Sequence, residues 1–183
     1  MNLIDSDILT RCREGDKSAF RVIVQQYQRM LFSLALKLLG DEEEAKDAVQ
    51  EAFIKVWLNI RNYDPQRDFT TCINTIASRL CLDRLRRTHL MQPLPEDERV
   101  LQDFCTHSSP QSHLENKDWV SIVRLLASGL SDKQRLVFTL SALEGLDNKE
   151  IELITGLDAS QVKNNLYLSR KTIREQLKLL GYE

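Results

Sequence analysis

Hydrophobic residues recur every three or four positions along most of this chain, a spacing typical of amphipathic helices. The longest unbroken example lies within residues 45–60, and further helices are expected over residues 4–13, 16–39 and 69–87. Alternating apolar and polar runs, which would indicate strands, are almost absent. The pattern therefore predicts an all-α protein.

The helical pattern stops between residues 88 and 115. This stretch contains three prolines, a pair of serines, and five acidic residues against one arginine. Such a composition is typical of a linker, and periodicity returns from residue 116. We therefore expect two helical domains, over residues 1–87 and 116–183, joined by a flexible acidic linker over 88–115.

Three helix-start signatures follow one another in the second domain. Each has a capping residue followed three positions later by Glu or Gln, as in a capping box. The pairs are Ser131 with Gln134, Asp147 with Glu150, and Asp158 with Gln161. Glycines 129, 145 and 156 stand where the preceding helices should end, because glycine tolerates a left-handed cap. The short turns predict a helix-turn-helix, an architecture that presents its second helix to the DNA major groove.

The last predicted helix has an apolar side and a polar side. Amide side chains such as Gln161 and Asn164 can form paired hydrogen bonds with adenine. Arg170, Lys171 and Arg174 suit backbone phosphates, which fix register and carry no sequence information. The alternative is a solvated polar face, but its position behind the predicted turn favours DNA contact.

The formal net charge of −2 is unusual for a DNA-binding protein. The deficit comes from the linker, since each predicted domain is slightly positive. Basic residues gather around 79–87 and again around 163–178. We expect weak DNA binding by the chain alone and a need for a partner.

Sequence signals for catalysis are weak. The chain has no Gly-rich phosphate loop, HExxH motif or nucleophile elbow, so we assign no catalytic residue and no cofactor. Cys105, His107 and His113 are too few for a metal site, and the scattered cysteines indicate free thiols. No apolar run has membrane-spanning length and the N-terminus is too polar for a signal peptide, so a cytoplasmic protein is expected.

Three segments together resemble bacterial sigma factors of the sigma-70 family, in the short ECF (extracytoplasmic-function) group. GDEEEAKDAVQEAFIKVW resembles the group's D-x-V-Q-E-x-F-x-x-x-W segment. FTTCINTIASRLCLDRLRR is similar to the segment that usually follows it. LSDKQRLVFTLSALEGLDNKEIELITGLDASQVKNNLYLSRKTIREQL resembles the C-terminal E-G-x-x-x-x-E-I-A core and its recognition helix. Cys72, Arg79 and Asn165 depart from the usual pattern, which affects the expected promoter bases.

The resemblance implies a transcription initiation factor that binds core RNA polymerase and promoter DNA. Polymerase would dock on the polar face of the helix over 42–60. From the residues alone, this face is an exposed surface or a protein-docking surface. The implied polymerase-binding residues are Asp47, Gln50, Glu51 and Lys55.

Residues 61–87 would open and read the −10 element, with the loop 61–68 receiving a flipped base. From the residues alone, Tyr63 and Phe69 either stack on unpaired bases or belong to the core. The implied −10 residues are Asn62, Tyr63, Gln66, Phe69, Thr70, Thr71, Arg79, Arg84, Arg86 and Arg87.

The second domain would read the −35 element, and the linker would thread the polymerase RNA channel. An anti-sigma factor, which in this group is often membrane-anchored, would control the chain, which itself would not insert into a membrane. The implied −35 residues are Arg135, Lys149, Ser160, Gln161, Lys163, Asn164, Asn165, Tyr167, Leu168, Arg170 and Lys171.

Two alternatives remain from the residues. One is an autonomous helix-turn-helix regulator with an N-terminal helical sensor or dimerisation domain, which would bind promoter duplex without polymerase. The other is a helical adaptor whose basic faces are only solvated surface, which would bind neither DNA nor polymerase.

Overall fold

A computed structural model describes residues 4–65, 67–91 and 129–179 of the chain. The helices of its first part are α1 (Ser6–Arg13), α2 (Lys17–Leu39), α3 (Glu42–Asn59) and α4 (Phe69–Met91), and a short 3-10 turn, Ile60–Asn62, follows α3. The described residues contain no strand, which agrees with the predicted all-α class.

Local capping explains where these helices begin and end. Asp16 Oδ1 accepts hydrogen bonds from the backbone N–H groups of Ser18 and Ala19, which opens α2. Gly40 closes it in the left-handed conformation, with φ +69°. Asp41 then caps α3 by accepting from the Glu44 N–H at 3.0 Å. The predicted bounds of α2 and α3 are confirmed.

Helix α4 continues to Met91 rather than ending near residue 87. The next proline after the start of α4 is at position 93, and a proline disfavours the helical conformation only at the residue before it. Residues 88–91 can therefore remain helical. The remainder of the predicted linker, 92–115, lies outside the described residues, as does the stretch 116–128.

The second part contains α5 (Asp132–Phe138), a π-helical turn (Thr139–Leu143), α6 (Asn148–Thr155) and α7 (Ala159–Leu179). All three predicted cap pairs form reciprocal hydrogen bonds. Gly145 and Gly156, with φ +72° and +71°, close the turns on either side of α6. The helix-turn-helix prediction is therefore confirmed in its local detail, whereas the π-helical turn was not expected.

The core of the first part lies where α2, α3 and α4 meet. Ile23, Leu31, Leu34 and Ile73 are at most 1% exposed there. In the second part, the core is formed by α5, α6 and α7, with Val137, Leu140, Ile151 and Val162 fully enclosed. Burial of these side chains supplies the main stabilisation of each part.

The two parts also pack against each other. Helix α4 contacts both α5 and α6, and α2 contacts the π-helical turn. The contact includes an ion pair between Lys37 and Glu144 at 2.8 Å. Two helical units, each with a core, therefore meet through a polar and apolar interface.

Candidate nucleic-acid interface

Helix α7 presents the polar face that the sequence predicts. Val162, Leu166 and Ser169 are buried on its inner side. Tyr167 is 67% exposed, and most polar candidates are exposed with it. The exposed set consists of Ser160, Gln161, Lys163, Asn164, Tyr167, Arg170 and Lys171, and Asn165 and Leu168 are half-buried.

The amide side chains on α7 differ in what they already bind. Gln161 Oε1 accepts from the backbone N–H of Asp158 at 3.1 Å, so its carbonyl belongs to the cap. Asn165 Nδ2 donates to the backbone carbonyl oxygen of Gln161 at 2.8 Å. Asn164 is exposed and stands between them in sequence. Paired recognition of adenine needs both amide atoms, which makes Asn164 the best placed of the three.

A basic slot of about 460 Å³ lies beside α7 and contains no carboxylate in its lining. Helix α7 supplies four cations to it, and the segment before it supplies two polar side chains. We call this the basic slot; its lining comprises Ser141, Asn148, Lys163, Leu166, Tyr167, Arg170, Lys171 and Arg174. Such a concentration of positive charge suits a phosphate backbone. Arg174 lines the slot beside Arg170, in agreement with the sequence prediction, whereas Ser141 and Asn148 were not among the predicted residues.

Arg135 does not lie on this face. It is 9% exposed and donates from Nη1 to the Leu38 carbonyl oxygen at 3.2 Å. Burial lowers the pKa of its guanidinium, against the opposing effect of Asp132. In this arrangement the first helical unit covers the Arg135 side chain. The predicted contact of Arg135 with the −35 element is therefore not available here. Lys149 is exposed on α6.

An aromatic pocket of about 270 Å³ lies between α1, the loop before α4, and the start of α4. We call it the aromatic pocket; its lining comprises Ile4, Ser6, Leu9, Thr10, Arg13, Tyr27, Tyr63, Pro65, Arg67, Asp68, Phe69 and Thr70. The Tyr27 and Thr70 hydroxyls are hydrogen-bonded at 3.1 Å, and the Tyr63 hydroxyl donates to the Arg67 carbonyl. Aromatic walls with polar edges can hold a nucleobase.

Phe69 lines this pocket, but its ring is too buried to stack on a base. It is 4% exposed and packs edge-on against Tyr27 and Tyr63, with ring centroids 5.5 and 5.4 Å away. Of the two alternatives left open by the sequence, the burial of Phe69 supports the core position, so its ring is poorly placed for the implied contact with the −10 element. Thr71 is also occupied, because its N–H and hydroxyl donate to Asp68 Oδ2 at 2.6 and 2.9 Å.

The other −10 candidates divide by accessibility. Asn62, Arg79, Arg86 and Arg87 are exposed, whereas Thr70 is half-buried. Gln66 lies outside the described residues. Arg84 is half-buried, and its guanidinium donates to the carboxylates of Glu44 and Glu51 on α3 at 2.7 and 3.1 Å.

An apolar groove of about 860 Å³ runs between α2 and α3. Phe20 packs against Trp57 with ring centroids 4.9 Å apart, and Ile54 and Leu58 are 51% and 70% exposed at its edge. We call this the apolar groove; its lining comprises Lys17, Phe20, Val24, Gln28, Arg29, Phe32, Lys46, Val49, Gln50, Phe53, Ile54, Trp57 and Leu58. An open apolar surface of this kind is typical of a protein-docking site.

Of the four predicted polymerase-binding residues, one lines this groove and the other three lie elsewhere on α3. Gln50 lines it, and Asp47 and Lys55 are exposed on α3. Glu51 is half-buried and bound by Lys55 and Arg84. The contribution of α2 was missed by the sequence prediction. The apolar character of the groove could have been predicted from Ile54 and Leu58, since both are apolar and lie off the buried stripe of α3.

A metal centre among the described residues would need several ligand side chains close together. No cluster of three His, Cys, Asp or Glu side chains there is arranged to hold a metal ion. Within the same residues, none of the helices is both long and apolar enough to cross a membrane.

These surfaces define a helical DNA-binding protein of the helix-turn-helix class. Residues 23–90 match the model of Sigma-70 region 2, and residues 121–173 match that of Sigma-70 region 4. The chain is 27% identical over 185 residues to the ECF RNA polymerase sigma factor SigW of Bacillus subtilis, covering 97% of this chain and 99% of SigW. It is 24% identical to the ECF RNA polymerase sigma-E factor of Escherichia coli K12, covering 97% and 96%.

Two solved structures share the fold. CnrH in complex with the cytosolic domain of CnrY has a TM-score of 0.70 at 19% identity, covering 96% of this chain and 98% of CnrH. RpoE in complex with the anti-sigma factor NepR from Bartonella quintana has a TM-score of 0.63 at 20% identity, covering 87% and 96%.

The chain belongs to the sigma-70 family of RNA polymerase sigma factors, in the ECF group. It is a transcription initiation factor of the kind that directs polymerase to promoters, a family that is not typically enzymatic. This assignment favours the initiation factor over the autonomous regulator.

Proposed function

We propose that the chain binds core RNA polymerase through the apolar groove and the neighbouring polar edge of α3. The observation that carries this proposal is the groove itself, which exposes Ile54 and Leu58 beside Gln50. Exposed apolar side chains cost free energy in water, and a partner that covers them recovers it. Asp47 and Lys55 would supply the polar rim of the interface.

The −10 element would be bound by α4 and the aromatic pocket. Arg79, Arg86 and Arg87 would contact the phosphates, and the pocket would receive one unpaired base between Tyr63 and Thr70. Flipping a base costs a few kcal/mol, which contacts with polymerase would help to offset. The pocket's volume and aromatic lining support this role.

The −35 element would be read by α7. Asn164 would contact a base edge, and the basic slot would hold the adjacent phosphates through Lys163, Arg170 and Lys171. The exposure of these side chains supports this division. A chain whose own charge is −2 would obtain much of its promoter affinity through polymerase.

We further propose that an anti-sigma factor, either soluble or membrane-anchored, controls the chain by covering the apolar groove. The complex of RpoE with NepR is a precedent for such a partner in a structural neighbour. The chain would act without a cofactor or an enzymatic activity of its own. It would act in the cytoplasm, where polymerase and promoters are found.

Run-off transcription with purified core polymerase and a genomic promoter pool tests the function directly. We expect discrete transcripts that depend on the added chain, with a shared −35 and −10 pair upstream. A Gln50→Lys variant should lose these transcripts together with co-migration with core enzyme, whereas Gln25→Lys, the same change at an exposed position of α2, should retain both. Promoter binding without polymerase, and no transcript with it, would overturn the proposal in favour of the autonomous regulator.

A further inference from the structure

Helix α1 forms one wall of the aromatic pocket, and none of its residues was among the predicted −10 residues. Leu9 supplies the apolar part of this wall, since it also packs against the core. The hydroxyl of Thr10 is bound within the helix, because it donates to the Ser6 carbonyl oxygen at 2.9 Å. Arg13, in the last turn of α1, lines the pocket and is exposed. The wall therefore offers a ligand of the pocket one long, solvent-accessible cation.

The position of α1 beside the pocket is fixed by its packing. The helix contacts α2 and the 3-10 turn Ile60–Asn62, which leads into the loop of the pocket. Cys12, next to Arg13, is 1% exposed and anchors the end of α1. Gly15 then reverses the chain into α2 with φ +92°, a conformation that glycine adopts without strain. Because the backbone of Arg13 is already ordered, a contact made by this side chain costs little further entropy.

The arginines around this pocket differ in whether a carboxylate already binds them. Arg11, two residues before Arg13, donates from Nε and Nη2 to Asp16 Oδ2 at 3.0 and 2.7 Å. In the loop, Arg67 Nε lies 3.8 Å from Asp64 Oδ2. Arg13 forms no ion pair with a carboxylate of the described residues. Within this part of the chain, Arg13 is therefore the cation of the pocket lining that has no protein anion beside it.

The charges of the pocket lining favour one orientation of a nucleotide. A base suits aromatic walls such as Tyr63, whereas its phosphate needs a cation. Asp68 lines the pocket at the start of α4, and its Oδ2 accepts from the N–H and hydroxyl of Thr71. This carboxylate repels a phosphate, and the Arg13 guanidinium on α1 attracts it. A nucleotide whose base enters the pocket is therefore most stable with its phosphate directed toward Arg13 rather than toward Asp68.

From these contacts we infer that Arg13 binds the phosphate of the nucleotide whose base occupies the aromatic pocket, so that α1 is part of the −10 interface. The inference rests on the proposed function, because it takes the pocket as the site of an unpaired −10 base. A guanidinium can bind phosphate oxygens through two parallel N–H groups. Such a contact fixes the nucleotide in place and carries no sequence information. Arg13 thus stabilises the unpaired strand whatever its bases are.

The test uses the full chain bound to core polymerase and the unpaired non-template strand of a −10 element recovered by run-off transcription. Arg13→Ala should lower the affinity for this strand about fivefold and reduce the slope of log affinity against log salt by about 0.7, the value for one phosphate of a single strand. Arg13→Gln, which keeps much of the side-chain stem, should reproduce both changes. Arg13→Lys keeps the charge and should retain most of the affinity.

The matched control is Arg21→Ala, which removes the same charge at an exposed position of α2 and should change neither quantity. A second measurement places uncharged methylphosphonate linkages one at a time along the strand. The linkage beside the base that enters the pocket should weaken binding by the wild-type complex, and with that strand wild type and Arg13→Ala should bind alike. Fluorescence of 2-aminopurine, which rises on unstacking, identifies that base.

The inference is overturned if Arg13→Ala and Arg21→Ala bind the strand equally well. It is also overturned if Arg13→Ala and the methylphosphonates have additive effects at every linkage, because Arg13 would then act only through the general charge of the surface. A loss confined to certain bases, which Arg13→Lys does not repair, would replace the phosphate contact by a base contact. Failure of the proposed function has a different result, since the wild-type complex itself would then bind the −10 strand no better than a scrambled one.

Discussion

Arg84 and Glu51 join the helix proposed to bind DNA to the helix proposed to bind polymerase. The Arg84 Nη2 on α4 lies 3.1 Å from Glu51 Oε2 on α3, and its Nη1 lies 2.7 Å from Glu44 Oε2. The guanidinium is therefore committed to protein carboxylates and is a poor candidate for phosphate contact. Its role is to hold α3 and α4 in register, so that the two proposed surfaces keep a fixed relation.

Replacing Arg84 by Met should destabilise the first helical unit. The pairs are partly exposed, with Glu44 and Glu51 side chains 55% and 42% accessible, so solvent screening limits the loss to about 0.5–1 kcal/mol. Urea unfolding measures this free energy. Arg87→Met, on the exposed face of the same helix, should change it by less than about 0.5 kcal/mol. Equal losses of unfolding free energy in the two variants would show that the Arg84 ion pairs do not stabilise the fold.

The effect of Arg84→Met should depend on pH. Burial raises the pKa of Glu51, but hydrogen bonds from Lys55 and Arg84 outweigh it, so the pKa lies below its ordinary value. A carboxyl with a lowered folded-state pKa stabilises the fold above its unfolded pKa of about 4.3, and that contribution is lost as pH falls through the folded value. The difference between wild type and variant should therefore shrink in acid. A difference that grows below pH 4 would contradict this assignment.

Within the polymerase-binding surface, Gln50 and Glu51 should behave differently. Gln50→Lys places a charge in the apolar groove and should weaken association with core polymerase at least tenfold with little change in thermal stability. Glu51→Lys should lower the melting temperature as well, because it repels Arg84. Competition for core enzyme and thermal unfolding measure the two effects. Identical melting temperatures for both variants would refute the structural role of Glu51.

On the reading helix, Asn164 and Asn165 provide a matched pair. Asn164→Ala should cost about 1–3 kcal/mol at particular −35 base pairs. Asn165→Ala should have little base-specific effect, because the side-chain amide of Asn165 already donates to the backbone carbonyl of Gln161. Binding to a randomised −35 library by the polymerase complex measures both. The reverse ranking would place the base contact on the other flank of α7.

Phosphate contacts on the same helix should have a different signature. Arg170→Ala should weaken every sequence in the library alike and lower the salt dependence of binding, since phosphate contacts release counterions. The slope of log affinity against log salt is the measurement. An unchanged slope, or a loss confined to certain bases, would show that Arg170 is not a phosphate contact.

The aromatic pocket should be visible in an alkaline titration. Burial, with smaller effects from Cys72 and Asp68, raises the pKa of Tyr63 to about 12. The stability that a raised pKa contributes is present below the unfolded value of about 10 and is lost as pH rises toward 12. Tyr63→Phe should remove this loss and one high-pH step in the tyrosinate absorbance. Tyr27→Phe is the comparison variant, since burial also raises the pKa of Tyr27.

Helix ends could be predicted from the sequence because they depend on neighbouring residues. Asp158 and Gln161 lie three positions apart and bond to each other's backbone, whatever the rest of the chain does. The same holds for the glycine at 156, which alone meets the positive φ of its turn without strain. The all-α class, the helix-turn-helix and the family motifs all follow from such local patterns.

The availability of individual side chains could not be predicted in this way. Arg135 and Lys163 are both basic residues on helices of the second unit, yet the first is buried against Leu38 and the second is exposed. The apolar groove likewise requires Phe20 from α2 beside Trp57 from α3, residues far apart in sequence. Residues a few positions apart were enough to predict most helix bounds, their caps and the polar face of α7, although not the π-helical turn or the end of α4. Which cations are exposed and which are buried against protein depends on how distant helices pack, so this became visible only in the folded chain.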